Sequence, residues 1–342
     1  MKKHKFYGDF TPLFVLFYYF CNMEPKKKII FIVNPISGTR SKDGLESLIK
    51  DTISPDKFEW KIVKTEYAGH AAELARDYAR QHVDIVVAVG GDGTVNEVAR
   101  SVAQTQTALG IIPCGSGNGL ARHLCLPMSM KKSLQIINQA HIIDIDYALA
   151  NDQAFFCTCG MGFDAHVALL FAGSGSRGLS TYARLVLREG MTYKPSHYVV
   201  RTAESDEELH FDAFLLDVGN AAQYGNNTYI APGASVRDGL LNLVLVKPLG
   251  KGARVKLMTD MFTKTLNTNK HVTVLKSTAF HVHREGGSAF QFDGDPMEAG
   301  TDFDIRIVAG GLKMVANTAK LEDKAQPNKV VNALNKLFRG ER

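Results

Sequence analysis

The sequence predicts two structural regions, an α/β half built on a parallel sheet and a mainly β half of sandwich character. Three observations carry that expectation. From Lys28 to about Ile143, short β-branched runs alternate with amphipathic runs, as strands buried on both faces alternate with crossover helices. Strands there run into glycine-rich turns, as where "VDIVVAV" meets "GGDGT". After "IIDIDYAL" (142–149), strand-like segments follow one another between turn residues, which favours a sandwich.

Taken in order, "IIFIV" (29–33) reads as a strand and "LESLIKDTI" (45–53) as a helix. "FEWKIVKT" is a strand ending at Thr65. "HAAELARDYARQH" is a helix with Ala71, Leu74, Ala75 and Tyr78 on one face. "VDIVVAV" (83–89) and "ALGII" (108–112) are further strands, each leading through glycines into a helix. In the second half, "AFFCTC", "HYVVRT", "LHFDAFLLDVGN", "LLNLVLVK", "HVTVLKS", "TAFHVHR" and "AFQFDG" read as strands, with helical stretches around 178–192 and 252–268. "FDIRIVAGGLKMVAN" (303–317) reads as a final strand pair returning to the first domain, and "NKVVNALNKLFR" as an amphipathic tail helix. We divide the chain into an N-terminal extension (1–27), an α/β domain (28–143, rejoined by 309–320), a β domain (144–308) and a tail (321–342).

The 342 residues, 45% hydrophobic, suffice for two cores. The balance of 40 Lys and Arg against 35 Asp and Glu leaves +5. That mild excess suits an anionic substrate or membrane surface and is too small to argue for nucleic acid. Cys21, Cys114, Cys125, Cys157 and Cys159 show no C-x-x-C spacing, so reduced thiols in a cytosolic protein are expected. The alternation of "CTC" places Cys157 and Cys159 on one side of a strand. Leu13 to Cys21 is too short to span a bilayer, and we expect translation to begin at Met23.

Five turns carry chemistry. "NPISG" (34–38) follows the first strand and offers Asn and Ser donors, and Thr65 ends the second strand within "TEYAGHA". "GGDGT" (90–94) sits between a strand and a helix, where backbone N–H groups meet an anion. Asp92 inside it implies a bridging cation or a proton to be taken from an attacking hydroxyl. "PCGSGNGLARHL" (113–124) packs three glycines into five residues, with Ser116 and Asn118 as added donors. His123 reads as a packed or surface histidine. "FDGDPMEAG" places Asp293 and Asp295 on either side of a glycine, as a turn, a general base or a metal ligand. The P-loop and protein-kinase signatures are absent, and "GGDGTVNEV" is not the dinucleotide fingerprint G-x-G-x-x-G.

In order, "NPISG", "TEYAGHA", "GGDGTVNEV", "PCGSGNGLAR", "APGASVRDGLLNLVLV" and "FDGDPME" resemble the diacylglycerol kinase catalytic-domain family, which includes bacterial soluble lipid kinases and sphingosine kinases. The resemblance runs from about Lys28 to Ala319. It implies an N-terminal domain of the NAD kinase and phosphofructokinase type, a C-terminal β-sandwich domain, and ATP in the cleft between them. By position, Asn34, Pro35, Ile36, Ser37, Gly38, Thr65, Gly90, Gly91, Asp92, Gly93, Thr94, Val95, Asn96 and Ser116 would contact ATP. Ser235, Asp238 and Leu240 would hold a structural Mg²⁺. The family's last motif is usually Asp-Gly-Glu, with the glutamate as base; here Asp295 is one methylene shorter, by about 1.5 Å. Asp295 and Asp92 are therefore both candidates for the base.

The function the resemblance implies is ATP-dependent phosphorylation of a hydroxyl on diacylglycerol, a sphingoid base, a ceramide-like lipid or a polyprenol, at a membrane surface reached from the cytoplasm. Relatives often pair, which makes a homodimer an expectation. An NAD kinase and a non-catalytic nucleotide- or lipid-binding module are the alternative readings. The segment 174–196 sets Arg184 and Arg188 apart from Leu179, Tyr182, Val186 and Met191, as either a membrane-docking helix or a core helix with a basic edge.

Overall fold

The computed structural model describes residues 25–38, 41–174, 179–190, 192–286 and 288–318. The tail helix, the segment before Met23 and Met191 lie outside them. The first half runs β1 (Lys27–Val33), α1 (Leu45–Thr52), β2 (Phe58–Lys64), α2 (His70–Arg80), β3 (Ile85–Gly90), α3 (Asp92–Val102), β4 (Ala108–Pro113), α4 (Gly119–His123) and α5 (Met130–Gln139). Strands β2-β1-β3-β4 pair in parallel. All six residues of β3 and of β4 are buried, because helices cover both faces. Ala71, Ala75 and Ala79 are the buried stripe of α2, with Leu74 and Tyr78 half-buried beside them.

The second half adds β5 (Ile142–Ala150), β6 (Gln153–Phe155), β7 (Thr158–Gly162), α6 (Phe163–Gly173), α7 (Leu179–Glu189), β8 (Ser196–Thr202), β9 (Ser205–Ala213) and β10 (Leu215–Gly219). The short β11 (Gln223–Gly225) and β12 (Thr228–Tyr229) precede β13 (Leu241–Val246), α8 (Lys251–Thr263), β14 (Val272–Ser277), β15 (Ala279–Arg284), β16 (Ser288–Phe292), β17 (Asp295–Ala299) and β18 (Asp302–Val315). A six-stranded antiparallel sheet, β14-β13-β10-β7-β16-β17, faces the β18-β15-β8-β9 part of the first sheet. Met161, Leu216, Leu243, Phe280, Phe290 and Ile305 form the core between them. The outer face of the six-stranded sheet is covered by α6, α7 and α8, through residues such as Phe163, Leu185 and Leu257. This is the expected pairing of an α/β region with a β-sandwich.

Four local expectations are corrected. The stretch 303–317 is one strand, β18, irregular between Val308 and Leu312; it pairs with β5 and β15 and meets β4 at Met314, so one sheet runs through both halves. "LHFDAFLLDVGN" breaks at Phe214 into β9 and β10, which join different sheets. Helix α6 has no counterpart in the sequence reading because its apolar residues surround the axis and leave no polar face to mark a period. Cys157 precedes β7 and packs with the α/β core, while Cys159 points into the sandwich core, because the chain passes from one sheet to the other between them. Both thiols are buried and free.

Candidate active site

Three glycine turns at the C-terminal ends of β1, β3 and β4 are knitted together. Gly38 has φ +78° and lies so close to the next turn that a Cβ there would stand 2.0 Å from the Cys114 carbonyl oxygen. A Cβ on Gly115 would stand 2.7 Å from the Gly91 Cα. Asn34 Nδ2 donates to Thr94 Oγ1 at 3.2 Å. Only residues without side chains allow backbones to approach this closely, and the result is a floor of backbone groups beside the N-terminus of α3.

Asp92 opens that helix and ties it to the third turn. Its Oδ2 accepts the Asn118 N–H at 2.8 Å and its Oδ1 the Gly119 N–H at 2.7 Å. Burial pushes its carboxyl up, and those two N–H groups hold the rise back. Asn118 has φ +51°, and its side chain closes the turn on both sides of Gly115. Glu97 accepts the Gly69 and Ala71 N–H groups, both at 3.1 Å, and so fixes the start of α2 against α3. His123 is buried and its Nδ1 accepts the Ala222 N–H at 3.1 Å; it is a packed histidine.

A cavity of about 240 Å³ opens between these turns and the outer face of the β-sandwich. Asp92, Val95, Asn96 and Ser116 line it from the first half, and Thr158, Asp164, Tyr224, Gln291 and Asp293 from the second. Asp293 Oδ1 accepts the N–H groups of Cys157 (2.6 Å) and Thr158 (3.0 Å), and Oδ2 that of Phe156 (2.9 Å). Burial still pushes its carboxyl up to about 6. Asp295 stands exposed at the first residue of β17 and is not among the described residues that line the cavity. Thr65 is buried at the end of β2, its N–H donated to Val33. Pro35 and Ile36 are exposed, Ile36 by 92%.

A second cavity of about 140 Å³ adjoins the first. Its wall is almost wholly apolar, with Phe163, Val186, Phe214, Leu257, Met261 and Phe262 on it. Asp164, Tyr224 and Thr228 belong to both cavities. Of these lining residues only Val186, on α7, stood out in the sequence; the others are single side chains on α6, α8, β11–β12 and the β9–β10 junction with no motif around them.

The loop of Ser235, Asp238 and Leu240 lies elsewhere, held to β5 by Asp146, whose carboxylate accepts the Gly239 and Gly310 N–H groups at 2.9 and 2.8 Å. Asp238 is the set's one carboxylate, and Lys276 Nζ stands 3.7 Å from it. Among the described residues no three His, Cys, Asp or Glu converge as metal ligands. The set therefore offers one carboxylate, faced by an ammonium, together with hydroxyl and backbone oxygens.

Residues 28–150 match the model of the diacylglycerol kinase catalytic domain, and residues 158–316 that of the YegS C-terminal NAD kinase beta sandwich-like domain. Among curated proteins, the chain is similar to the probable lipid kinase YegS of Salmonella typhimurium, 26% identical over 256 residues, covering 72% of this chain and 82% of that one. The probable lipid kinase YegS-like of Citrobacter koseri is 29% identical over 252 residues, covering 69% and 80%. Among solved structures, a putative diacylglycerol kinase from Bacillus anthracis shares the fold, with a TM-score of 0.71 at 24% identity over 87% of this chain and 99% of that one. With one of these models on each half and the same fold throughout, the chain belongs to the diacylglycerol kinase catalytic-domain family of lipid kinases.

Proposed function

We propose that the protein transfers the γ-phosphoryl group of ATP to a hydroxyl of diacylglycerol or a related lipid. The observation that carries this reading is the joined pair of cavities, one beside the glycine turns and one apolar. A phosphate donor suits the first, with its helix N-terminus and close-packed backbone. An acyl chain suits the second, whereas a dinucleotide acceptor such as NAD has no use for it.

In this reading the lipid oxygen bonds to the γ-phosphorus as the bond to the β,γ-bridging oxygen breaks, and ADP leaves. The hydroxyl proton passes to Asp92, which lines the cavity with a raised pKa, in preference to the exposed Asp295. Magnesium accompanies the nucleotide as counter-charge to its phosphates. The working enzyme sits at a membrane surface on the cytoplasmic side, where both substrates meet.

The test is phosphoryl transfer from labelled ATP to diacylglycerol in mixed micelles, with NAD as a parallel acceptor. Asp92→Asn should fold, bind ATP and lose about 100-fold or more in kcat, while Asp295→Asn loses far less. Wild-type-like transfer by Asp92→Asn would remove Asp92 from the mechanism, and transfer to NAD alone would replace the lipid reading.

A further inference from the structure

Between the two cavities lies a buried pair of carboxyls that neither the glycine turns nor the phosphoryl transfer requires. Gly160 of β7 is in register with Asp217 of β10 on one side and Gln291 of β16 on the other. Having no side chain, it leaves a gap into which Asp164 descends from the first turn of α6. A Cβ on Gly160 would stand 2.3 Å from Asp164 Oδ2 and 2.6 Å from Asp217 Oδ2. Gln291 Nε2 donates to Asp164 Oδ2 at 3.1 Å and to Asp217 Oδ2 at 3.2 Å. The Gly294 N–H, donated to Gln291 Oε1 at 2.8 Å, fixes that amide's orientation. Tyr224 donates its hydroxyl to Asp217 Oδ2 at 3.0 Å.

Asp164 is 5% exposed and Asp217 fully buried, and their carboxyls are hydrogen-bonded to each other. Burial raises both, Asp164 to about 7 and Asp217 well above the ordinary range. Burial of the two carboxyls side by side thus favours a proton held between them. The Oδ1 atoms of both residues are buried without a hydrogen-bond partner in the protein. Buried acceptors of this kind are expensive to leave unmade. Asp164 lines both cavities, so a molecule spanning them passes its carboxyl.

We propose that Asp164, backed by Asp217, is a head-group subsite that accepts a hydrogen bond from a second N–H or O–H donor on the lipid, on the carbon next to the hydroxyl that is phosphorylated. The inference rests on the lipid kinase reading and narrows its substrate class. Diacylglycerol carries an ester oxygen on that neighbouring carbon, which repels the acceptor. A ceramide carries an amide N–H there, and a 1-monoacylglycerol a free hydroxyl. A site built around such a donor penalises an analogue that lacks it by about tenfold to a hundredfold in kcat/KM.

The experiment measures kcat/KM for ceramide, 1-monoacylglycerol and 1,2-diacylglycerol of matched chains, in mixed micelles with saturating ATP. The wild-type protein should favour the two donor-bearing lipids over diacylglycerol by about tenfold or more. Asp164→Leu should bring that ratio close to one. Asp217→Asn, which still donates toward Asp164, should retain it. Diacylglycerol used as well as or better than the other two by the wild type would overturn the subsite while leaving the kinase reading in place. A ratio unchanged in a folded Asp164→Leu protein would overturn it equally. The wild-type comparison decides alone if that variant does not fold. Transfer to none of these lipids would overturn the kinase reading and this inference with it.

Discussion

Asp293 accepts three backbone N–H groups yet keeps its proton up to about 6, because desolvation outweighs those donors. At Asp164 burial likewise outweighs the Gln291 amide and the nearby backbone N–H groups, and the carboxyl rises to about 7. Each carboxyl, with an ordinary value of 3.8, binds its proton more tightly in the folded than in the unfolded chain. The stability this contributes is complete below pH 3.8 and is lost as pH climbs through about 6 and about 7. Asp164→Asn removes one ionisation, so its stability relative to wild type should improve between pH 5 and pH 8, on the order of 1–3 kcal/mol. Urea unfolding at the two pH values reads this directly. A difference between the proteins that stays constant with pH would show that Asp164 does not ionise in that range.

At the scale of elements, the phosphate floor depends on three strand-to-helix turns keeping backbone contact. Gly38 is the tightest point, with both a left-handed φ and no room for a Cβ. Gly38→Ala should push the 34–38 turn off Cys114, lower ATP affinity about tenfold, and cost roughly 1–3 kcal/mol in stability. Calorimetric titration with ATP and thermal unfolding measure the two effects. Unchanged ATP affinity would mean that the first turn does not belong to the nucleotide site. Helix α7 shows a similar division of labour within one element. Leu185 is buried and Val186 packs against the covering layer, while Arg184 and Arg188 face solvent. The side chains of Leu179, Tyr182 and Met191, on which the docking face also depended, lie outside those described.

At the scale of the molecule, β18 welds the two halves into one sheet; the first cavity lies between the glycine turns and the six-stranded sheet, and the second between that six-stranded sheet and its covering helices. The apolar cavity is walled by α8, where Val255 is 66% and Phe262 54% exposed. No helix among the described residues is long and apolar enough to cross a membrane. Arg184→Glu with Arg188→Glu should weaken salt-sensitive binding to vesicles rich in anionic lipid by about 1 kcal/mol per charge removed, with ATP binding intact. Sedimentation with phosphatidylserine vesicles at low and high salt tests this, and vesicle binding unaffected by the double substitution would leave α7 as ordinary covering structure.

The sequence by itself determined the alternation of buried strands and helices, the sandwich that follows, and the glycine turns at 34–38, 90–94 and 113–119. Those features are local: β-branched runs, helical periods and glycines needed for close backbone approach all act over a few neighbouring residues. The tertiary structure alone decided which carboxyls face the cavity. Asp293 and Asp295 differ by two positions, yet one is held inward by three amides while the other stands in solvent. Asp164, Asp217 and Gln291 come from a helix and two strands and meet only because Gly160 leaves space between them. No local pattern marks such a meeting, because burial and charge are set by whatever the fold brings alongside each side chain, from segments as far apart as the 127 positions between Asp164 and Gln291.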